Sequence, residues 1–314
     1  MASIRRSPLR FSFSGAGFLG AYHLGVATVL RRAGVLDHPA GIEIAGASAG
    51  AIVAATLVTE TPIEQAQAVL KALIESTRAQ PLGMLTPGYS LIDHVRAACD
   101  VHLPVDAHQK ASGKLFVALT SLRPADLGTT YHRSSFASRD ELIDSVASSS
   151  DIPFITSTAA PTSSPNVVRG QSQTGFSQRL LGRNDVDGGL FDLFPDPWAE
   201  APHAAREDSE TARPPVFFVS PFLGKGFSIS PGHDARALHI PAWSPIAPSK
   251  NGRTIDLSAR NARRWRHAFF PPSYEMMEAY EAEGVRETEA WLEDWLQSGC
   301  KLAIEMSPDA SLER

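Results

Sequence analysis

The first 60 residues alternate between short apolar runs and segments whose apolar residues repeat at helical spacing. Residues 9–14 combine β-forming side chains with a polar end, which predicts a strand. Residues 18–33 have apolar side chains at the helical period, which predicts a helix. A second apolar run at 42–45 predicts a strand, and the run at 51–58 predicts a buried helix after it. This β-α-β-α order predicts an α/β fold with a parallel sheet.

Later segments continue the mixture of helices and strands. A helix-start signal at 61–64, with Thr61 as its cap, predicts a helix that ends near Arg78. Ser138, followed by Glu141, predicts a second capped helix. Further helices are predicted at 90–102, 259–270 and 273–297, and further strands at 114–121, 130–134 and 216–220.

Composition bounds the class of protein. The chain has 314 residues, 43% of them hydrophobic, and can bury a substantial core. Its net charge of −5 gives no electrostatic reason to expect nucleic acid as a partner. Cys99 and Cys300 are too few for a disulfide framework, and no Cys/His cluster has metal-ligand spacing. We therefore expect no metal and no cofactor.

The apolar segments also predict where the protein resides. The basic pair near the N-terminus is not followed by an apolar segment of the secretory kind. The longest largely apolar run, residues 51–58, is far shorter than the roughly 20 residues that span a bilayer. The expected location is the cytoplasm, without secretion and with peripheral membrane contact only.

Ser48 is the central residue of a G-x-S-x-G sequence directly after the second predicted strand. A sharp strand-to-helix turn holds such a serine in strained backbone geometry with its hydroxyl exposed. Gly46 and Gly50 are the small residues on either side that let the strand and the helix approach closely. The pattern predicts Ser48 as a nucleophile.

A glycine-rich turn, Gly15-Ala16-Gly17-Phe18-Leu19-Gly20, separates the first strand from the first helix. Backbone N–H groups at such a helix start bind negative charge, either a phosphate or the oxyanion that forms when a serine attacks an ester. The same spacing is a dinucleotide fingerprint, which needs an acidic residue at the end of the second strand. Asp37 lies before that strand and Glu43 inside it, which disfavours dinucleotide binding.

Asp187 begins an Asp-Gly-Gly turn far downstream of the serine. A carboxylate that accepts a proton from a serine hydroxyl needs a fixed, partly desolvated position. Gly188 and Gly189 permit the turn and a close backbone approach. The sequence therefore predicts Asp187 as the partner of Ser48. Asp185 would point the same way in a strand and stays an alternative base, since only the two glycines distinguish Asp187.

Histidine-based catalysis is another alternative, because ordinary α/β-hydrolases use a late histidine in the order Ser, acid, His. Those enzymes place the nucleophile after several strands, whereas Ser48 follows the second. His23, in the first helix, is predicted to pack in the core. The late histidines, none with a supporting motif, are His203, His233, His239 and His267.

Taken together, the ordered motifs G-x-G-x-x-G, G-x-S-x-G and D-G-[AG] resemble the patatin-like phospholipase family. Residues 14–26, 134–143 and 147–154 resemble its adiponutrin and adipose triglyceride lipase branch. The resemblance covers about residues 9–195 and implies a three-layer α/β/α domain with a mainly parallel sheet. It also implies a Ser–Asp dyad without histidine, in which Ser48 is the nucleophile and Asp187 the base.

The resemblance assigns roles to the glycine-rich motifs as well. It implies an oxyanion hole formed by N–H groups of Gly15, Ala16, Gly17 and Phe18, with Gly20, Gly46, Gly50, Gly188 and Gly189 supporting the motifs. Two features depart from the family pattern. The glycine-rich turn has no arginine or lysine, which fits the branch but makes the hole less electropositive. The polar stretch at 156–184 is longer than the usual connection and is predicted as a loop insertion.

Beyond the patatin-like part, we predict a loop-rich segment with a returning strand over 196–257 and helices over 258–298. The basic and aromatic segment at 259–270 fits two hypotheses: a helix resting on an anionic lipid surface, or a solvated helix with Trp265 packed inward. The acidic segment at 273–297 is predicted to pack its apolar stripe on the core, with partner binding as the alternative.

The leading functional hypothesis is a lipid acyl hydrolase that cleaves glycerolipid esters through an acyl-enzyme, as a triacylglycerol lipase or a phospholipase. One alternative is acyl transfer to a lipid alcohol. Another is a weakly active protein that binds lipid droplets or membranes. The expected partner is the lipid substrate at a membrane or lipid-droplet surface, and the need for an activator protein is left open.

Overall fold

A mainly parallel sheet organises the chain. The computed structural model describes residues 8–152, 155–156, 185–190, 192–199, 215–233, 237–241 and 253–297. Within these ranges six strands form the sheet: β1 (Leu9–Phe13), β2 (Ile42–Gly46), β3 (Leu115–Ser121), β4 (Thr130–Arg133), β5 (Asp185–Asp187) and β6 (Val216–Val219). Their order is β4-β3-β2-β1-β6, and β5 also pairs with β3. The ladders among β6, β1, β2 and β3 are parallel, whereas β4 and β5 run antiparallel to β3.

Helices and a small second sheet complete the described part. The helices are α1 (Gly20–Arg32), α2 (Ala49–Val58), α3 (Ile63–Arg78), α4 (Leu91–His102), α5 (Ala107–Ala111), α6 (Arg139–Ser148), α7 (Ala259–Phe269) and α8 (Tyr274–Gln297). The second sheet is antiparallel, in the order β7-β9-β8, and consists of β7 (Gly224–Lys225), β8 (Leu238–Pro241) and β9 (Thr254–Leu257).

Of the two helix caps predicted from the sequence, the one at Ser138 is present. The Ser138 hydroxyl accepts the Glu141 N–H at 3.1 Å, as the capping signal predicts. The cap predicted at Thr61 is wrong, because the Thr61 hydroxyl is hydrogen-bonded to the Thr59 hydroxyl at 2.9 Å. Helix α3 begins one residue later, at Ile63, with Pro62 in the cap position and no side-chain cap.

Helices α1 and α8 cover one face of the sheet. The ring of Trp291 on α8 lies 6.0 Å from that of Phe11 on β1 and 4.9 Å from that of Phe217 on β6. The two helices approach so closely that a Cβ atom on Gly284 would collide with the Tyr22 carbonyl. The predicted packing of the C-terminal helix on the core is therefore confirmed.

The segment 192–199 covers part of the other face. The Ser12 hydroxyl on β1 donates to the Pro195 carbonyl at 2.5 Å. The Trp198 ring lies 5.4 Å from the Phe116 ring on β3 and 5.3 Å from the Arg10 guanidinium. The mainly parallel sheet thus has elements on both faces, and the C-terminal region of the chain is helical. The predicted α/β/α fold class is confirmed.

The strand predicted at 216–220 is confirmed as β6, and it pairs with β1 in the main sheet. The sheet thus continues past residue 195, although the division into 9–195, 196–257 and 258–298 stays a prediction. The insertion predicted at 156–184 lies outside the described residues apart from Thr156, and so do His203 and Cys300. No helix among the described residues is long and apolar enough to cross a membrane.

Candidate active site

Ser48 lies in the sharp turn between the end of β2 and the start of α2. Its backbone has φ 53° and ψ −126°, a conformation that side chains other than glycine rarely adopt and that costs about 1–3 kcal/mol. A Cβ atom on Gly46 would lie 2.6 Å from the Ala51 nitrogen, and one on Gly50 would lie 2.5 Å from the Phe13 carbonyl. Both positions therefore require glycine, and the predicted strand–turn–helix is present.

Strand pairing brings Asp187 to this turn. Gly46, the last residue of β2, pairs with Val117 on β3, and Asp187 on β5 pairs with Leu119. Ser48 is two residues beyond Gly46, and Leu119 is two residues beyond Val117. The Asp187 carboxylate therefore lies in line with the end of β2, close enough to Ser48 for the serine side chain to lower its pKa.

The Asp187 carboxyl is buried, with 2% of its surface exposed. The Oδ1 atom of this carboxyl group accepts the Gly189 N–H at 2.6 Å. The Thr120 hydroxyl donates to the backbone carbonyl of Asp187 at 3.2 Å. Burial raises the pKa of Asp187 to about 7, against the opposing effect of the hydrogen bonds from Gly189 and Ser48. A carboxyl group with this pKa can both accept and return a proton near neutral pH.

Asp185, the alternative base, is engaged elsewhere. It pairs with Ser121, two residues farther along β3 from the serine turn than Asp187 is. Its carboxylate lies 3.6 Å from the Arg133 guanidinium and 4.0 Å from that of Arg123. Asp187, and not Asp185, lines the cavity together with Ser48.

The glycine-rich turn lies next to the serine, but its N–H groups are not equivalent. The Gly15 N–H donates to the Leu193 carbonyl at 3.0 Å and is not free to bind an oxyanion. The prediction that Gly15 contributes to the oxyanion hole is therefore wrong. No acceptor is found among the described residues for the N–H groups of Ala16, Gly17 and Phe18. Phe18 and Gly17 begin a short helical turn that continues into α1, which directs positive dipole ends at this point.

Gly17 has a second constraint. Its φ is +53°, and a Cβ atom there would collide with the carbonyl of Ala268 near the end of α7. Gly20, by contrast, lies at ordinary distance from the first helix turn after the serine, 3.4 Å between its ideal Cβ and that of Ala49. At the other motif, a Cβ on Gly188 would collide with the Ala118 carbonyl. The glycines thus let three backbone segments meet around Ser48.

His23 packs beneath the glycine-rich turn, as predicted. Its Nε2 lies 3.0 Å from the Ser14 carbonyl, and burial lowers its pKa to about 4. Of the late histidines whose side chains the structure describes, His267 is hydrogen-bonded to the Tyr280 hydroxyl at 2.9 Å and His233 is exposed. Neither of these two lines the cavity at Ser48.

Ser149 holds the serine turn, a role that the sequence analysis missed. Its hydroxyl accepts the Ser48 N–H at 3.0 Å and donates to the Ala118 carbonyl at 2.7 Å. Two residues later, the Asp151 carbonyl accepts the Asp187 N–H at 3.1 Å. This segment was noticed for its family resemblance at 147–154, but nothing in its sequence indicated contact with residues so distant in the chain.

A cavity of about 760 Å³ adjoins Ser48 and Asp187. This volume is in the upper part of the roughly 300–1,000 Å³ typical of small-molecule sites. Its walls away from the two polar residues are mainly apolar and come from α2, α3, α4 and α7, for example Ile52, Leu70 and Val95. The cavity can therefore hold a long apolar chain with one end at the serine.

Helix α7 closes one side of this cavity. Trp265 lines the cavity and stacks on Phe222, with 4.2 Å between ring centroids. Inward packing of Trp265 is therefore confirmed. The same helix exposes Arg260, Arg263 and Arg266 on its other side.

Potential metal ligands do not cluster in the described part of the chain: no three His, Cys, Asp or Glu side chains there could hold an ion together. Cys99 lines the cavity, and burial raises the pKa of its thiol to about 12. Besides Ser48 and Asp187, the polar side chains that line the cavity include those of His102, Asp256 and Asn261.

Comparison with known proteins agrees with this geometry. The family model described as patatin-like phospholipase matches residues 11–195. The chain belongs to the patatin-like phospholipase family. This family membership fits the order of the three motifs and their convergence on one cavity.

Several named proteins are similar in sequence to this chain. Patatin-like phospholipase domain-containing protein 2 of Mus musculus is 31% identical over 283 residues, which cover 90% of this chain and 50% of the mouse protein. Patatin-like phospholipase domain-containing protein 4 of Homo sapiens is 31% identical over 295 residues, covering 92% of this chain and 99% of the human protein. The human 1-acylglycerol-3-phosphate O-acyltransferase PNPLA3 is 36% identical over 185 residues, covering 59% of this chain and 34% of that protein. The patatin-like chain thus spans about half the length of the mouse relative.

We expect the substitution Asp187→Asn to stabilise the fold at neutral pH. The wild-type carboxyl ionises near pH 3.8 when unfolded but only at about 7 when folded, so wild-type stability falls as pH rises between these values. Asparagine has no such penalty and keeps an oxygen for the Gly189 N–H. The advantage of the variant should grow with pH from about 4 to 7, to the order of 4 kcal/mol.

Chemical denaturation of both proteins at several pH values measures this difference. The matched control is Asp185→Asn, which removes an ion-paired carboxylate from the same strand and should give no gain. A stability difference between Asp187→Asn and wild type that does not change with pH would contradict the buried, neutral state of Asp187.

Proposed function

We propose that this chain is a serine acyl hydrolase that cleaves glycerolipid esters with Ser48 as nucleophile and Asp187 as base. The observation that carries the proposal is that a buried aspartate and a serine in a strained turn both line one end of a large apolar cavity. Nucleophile and base within hydrogen-bond reach are the basic requirement for covalent ester hydrolysis.

In the first half-reaction, the Ser48 oxygen bonds to the ester carbonyl carbon while Asp187 takes the hydroxyl proton. The carbonyl electron pair moves to oxygen, and the N–H groups of Gly17 and Phe18 hold the resulting oxyanion. Collapse of this intermediate breaks the ester bond, and the departing alcohol oxygen takes the proton from Asp187. In the second half-reaction, water gives a proton to Asp187 while its oxygen attacks the acyl-enzyme carbonyl. The bond from the acyl carbon to the Ser48 oxygen then breaks, Asp187 returns the proton to that oxygen, and the fatty acid is released.

The cavity supports a long-chain ester as the substrate. Burying an acyl chain against apolar walls contributes about 0.8 kcal/mol per methylene group. Such substrates reside in membranes or lipid droplets, so we propose that the protein works at a lipid surface as a peripheral enzyme. Both triacylglycerols and phospholipids fit this chemistry.

Fatty-acid release from emulsified triacylglycerol and from phospholipid vesicles tests the assignment. Ser48→Ala and Asp187→Asn should each remove ester hydrolysis almost completely, because one lacks the nucleophile and the other the base. Asp185→Asn, which changes charge equally in the same strand, should retain activity. Hydrolysis by folded Ser48→Ala, or loss of activity in Asp185→Asn alone, would refute the assignment.

Activity should depend on pH through Asp187. Only the ionised carboxylate accepts a proton, and its pKa is about 7. We therefore expect kcat/KM to fall about tenfold per pH unit below that value and to level off above it. Initial rates on a soluble short-chain ester give the profile without interference from the lipid phase. A profile that stays flat down to pH 5 would contradict a base with a raised pKa.

Acyl transfer is a second candidate, favoured by the similarity to a relative named 1-acylglycerol-3-phosphate O-acyltransferase. The same acyl-enzyme would be attacked by a lipid alcohol in place of water. Adding a monoacylglycerol or a lysophosphatidic acid to the assay should then produce a new acylated lipid at the expense of free fatty acid. We expect hydrolysis to dominate; equal or greater transfer over a range of acceptor concentrations would assign the chain as a transacylase.

A further inference from the structure

A second cavity, of about 250 Å³, lies between α7 and α8. The side chains of α7 that form this second cavity lie on one face of the helix. The opposite face of α7 lines the cavity at Ser48, called the acyl cavity below. From α7 the second cavity is lined by Arg260, Arg263 and Arg264, and from α8 by Met276, Ala279, Tyr280, Glu283 and Arg286. Four of these eight side chains are guanidinium groups.

One ion pair forms the base of this α7–α8 cleft. The Arg264 side chain is buried, with 6% exposed, and it contacts both carboxylate oxygens of Glu283 at 2.8 and 2.5 Å. Arg264 also donates to the Pro221 carbonyl at 2.5 Å and lies 5.0 Å over the Tyr280 ring. These contacts hold the Arg264–Glu283 pair in place, and the two charges of the pair cancel.

The remaining arginines of the cleft carry excess positive charge. Arg260 lies 4.0 Å from Glu283, which Arg264 already pairs with. Neither Arg263 nor Arg286 forms an ion pair with another described residue, and both are exposed. The Glu287 carboxylate also interacts with Arg260 and Arg286. The positive charges of Arg260, Arg263 and Arg286 thus outnumber this one further negative charge. The cleft therefore attracts an anion.

We propose that the α7–α8 cleft binds the phosphate group of an anionic lipid headgroup. Planar guanidinium groups match phosphate oxygens with paired, charge-assisted hydrogen bonds. The cleft is smaller than the roughly 300 Å³ at which whole small-molecule sites begin, so it suits a headgroup and not an acyl chain. That the phosphate belongs to a lipid rests on the proposed function.

The position of α7 connects this cleft with the lipid substrate. A helix with its side chains is about 10–12 Å wide, so a phosphate in the cleft lies about one helix diameter from the acyl cavity. Phe270, directly after α7, is 52% exposed beside Phe269, which lines that cavity. Anchoring a headgroup on the basic side would thus hold the acyl cavity next to the lipid surface.

Binding to lipid vesicles tests the proposal, measured with full-length Ser48→Ala so that no lipid is consumed. Vesicles of phosphatidylcholine with added phosphatidic acid should bind more tightly than pure phosphatidylcholine. Arg263→Gln and Arg286→Gln should each weaken the binding about tenfold, the loss expected for one charge-assisted hydrogen bond. Arg266→Gln is the matched control, since Arg266 lies exposed on the same helix but outside the cleft, and it should bind nearly as the parent does.

A second arm distinguishes the source of the phosphate. Inorganic phosphate that raises the Tm of the parent protein but not that of Arg263→Gln would show that the phosphate group alone is recognised. Vesicle binding that depends on Arg263 and Arg286 without any phosphate effect would show that the lipid surface is required. Equal losses in all three arginine variants, or no loss in any, would overturn the cleft as the site.

These outcomes are separate from those of the catalytic proposal. Because binding is measured without Ser48, a wrong assignment of the nucleophile would leave the vesicle result unchanged. Conversely, a cleft that binds no phosphate would leave hydrolysis of uncharged triacylglycerol by the wild-type protein unaffected.

Discussion

The pairing of one edge of β3 with two strands, β2 and β5, is the constraint on which the site depends. The first half of β3 pairs with β2, and the second half pairs with β5, so the two partners follow each other along one edge. Hydrogen-bonded strands keep their residues in register, which places Ser48 and Asp187 together although they are far apart in the chain. A slip of β5 by one residue would turn the carboxylate to the other face of the sheet.

This arrangement requires groups that are unfavourable for the fold. Ser48 has a strained backbone, and Asp187 is withdrawn from water without a cationic partner among the residues that the structure describes. The Gly189 N–H stabilises the Asp187 carboxylate, and the Thr120 hydroxyl binds the Asp187 backbone carbonyl. The Ser149 hydroxyl accepts the Ser48 N–H, which the turn leaves outside the helix. The result is a carboxyl group with a pKa near neutral pH, which is the property that a histidine supplies in serine hydrolases with a Ser-His-acid triad.

Local patterns predicted much of this structure. The strand and helix starts around Ser48 follow from glycine spacing and apolar periodicity, and Asp187 follows from its glycine turn. What sequence could not show is which distant segments meet. The Leu193 carbonyl that occupies the Gly15 N–H, and the Ser149 hydroxyl that binds Ser48, come from loops and helix ends whose residues have no distinctive pattern. Strand β5 has three residues, too few for periodicity to reveal.

The C-terminal helices are part of the site and not an addition to it. The family model ends at residue 195, yet one wall of the acyl cavity comes from α7, beyond that point. Gly17, in the glycine-rich turn, fits directly against the Ala268 carbonyl of the same helix. Helix α8 in turn meets α1 at Gly284, where no larger residue fits. Because α1 continues from the glycine-rich turn, α8 packs against the helix that extends this turn.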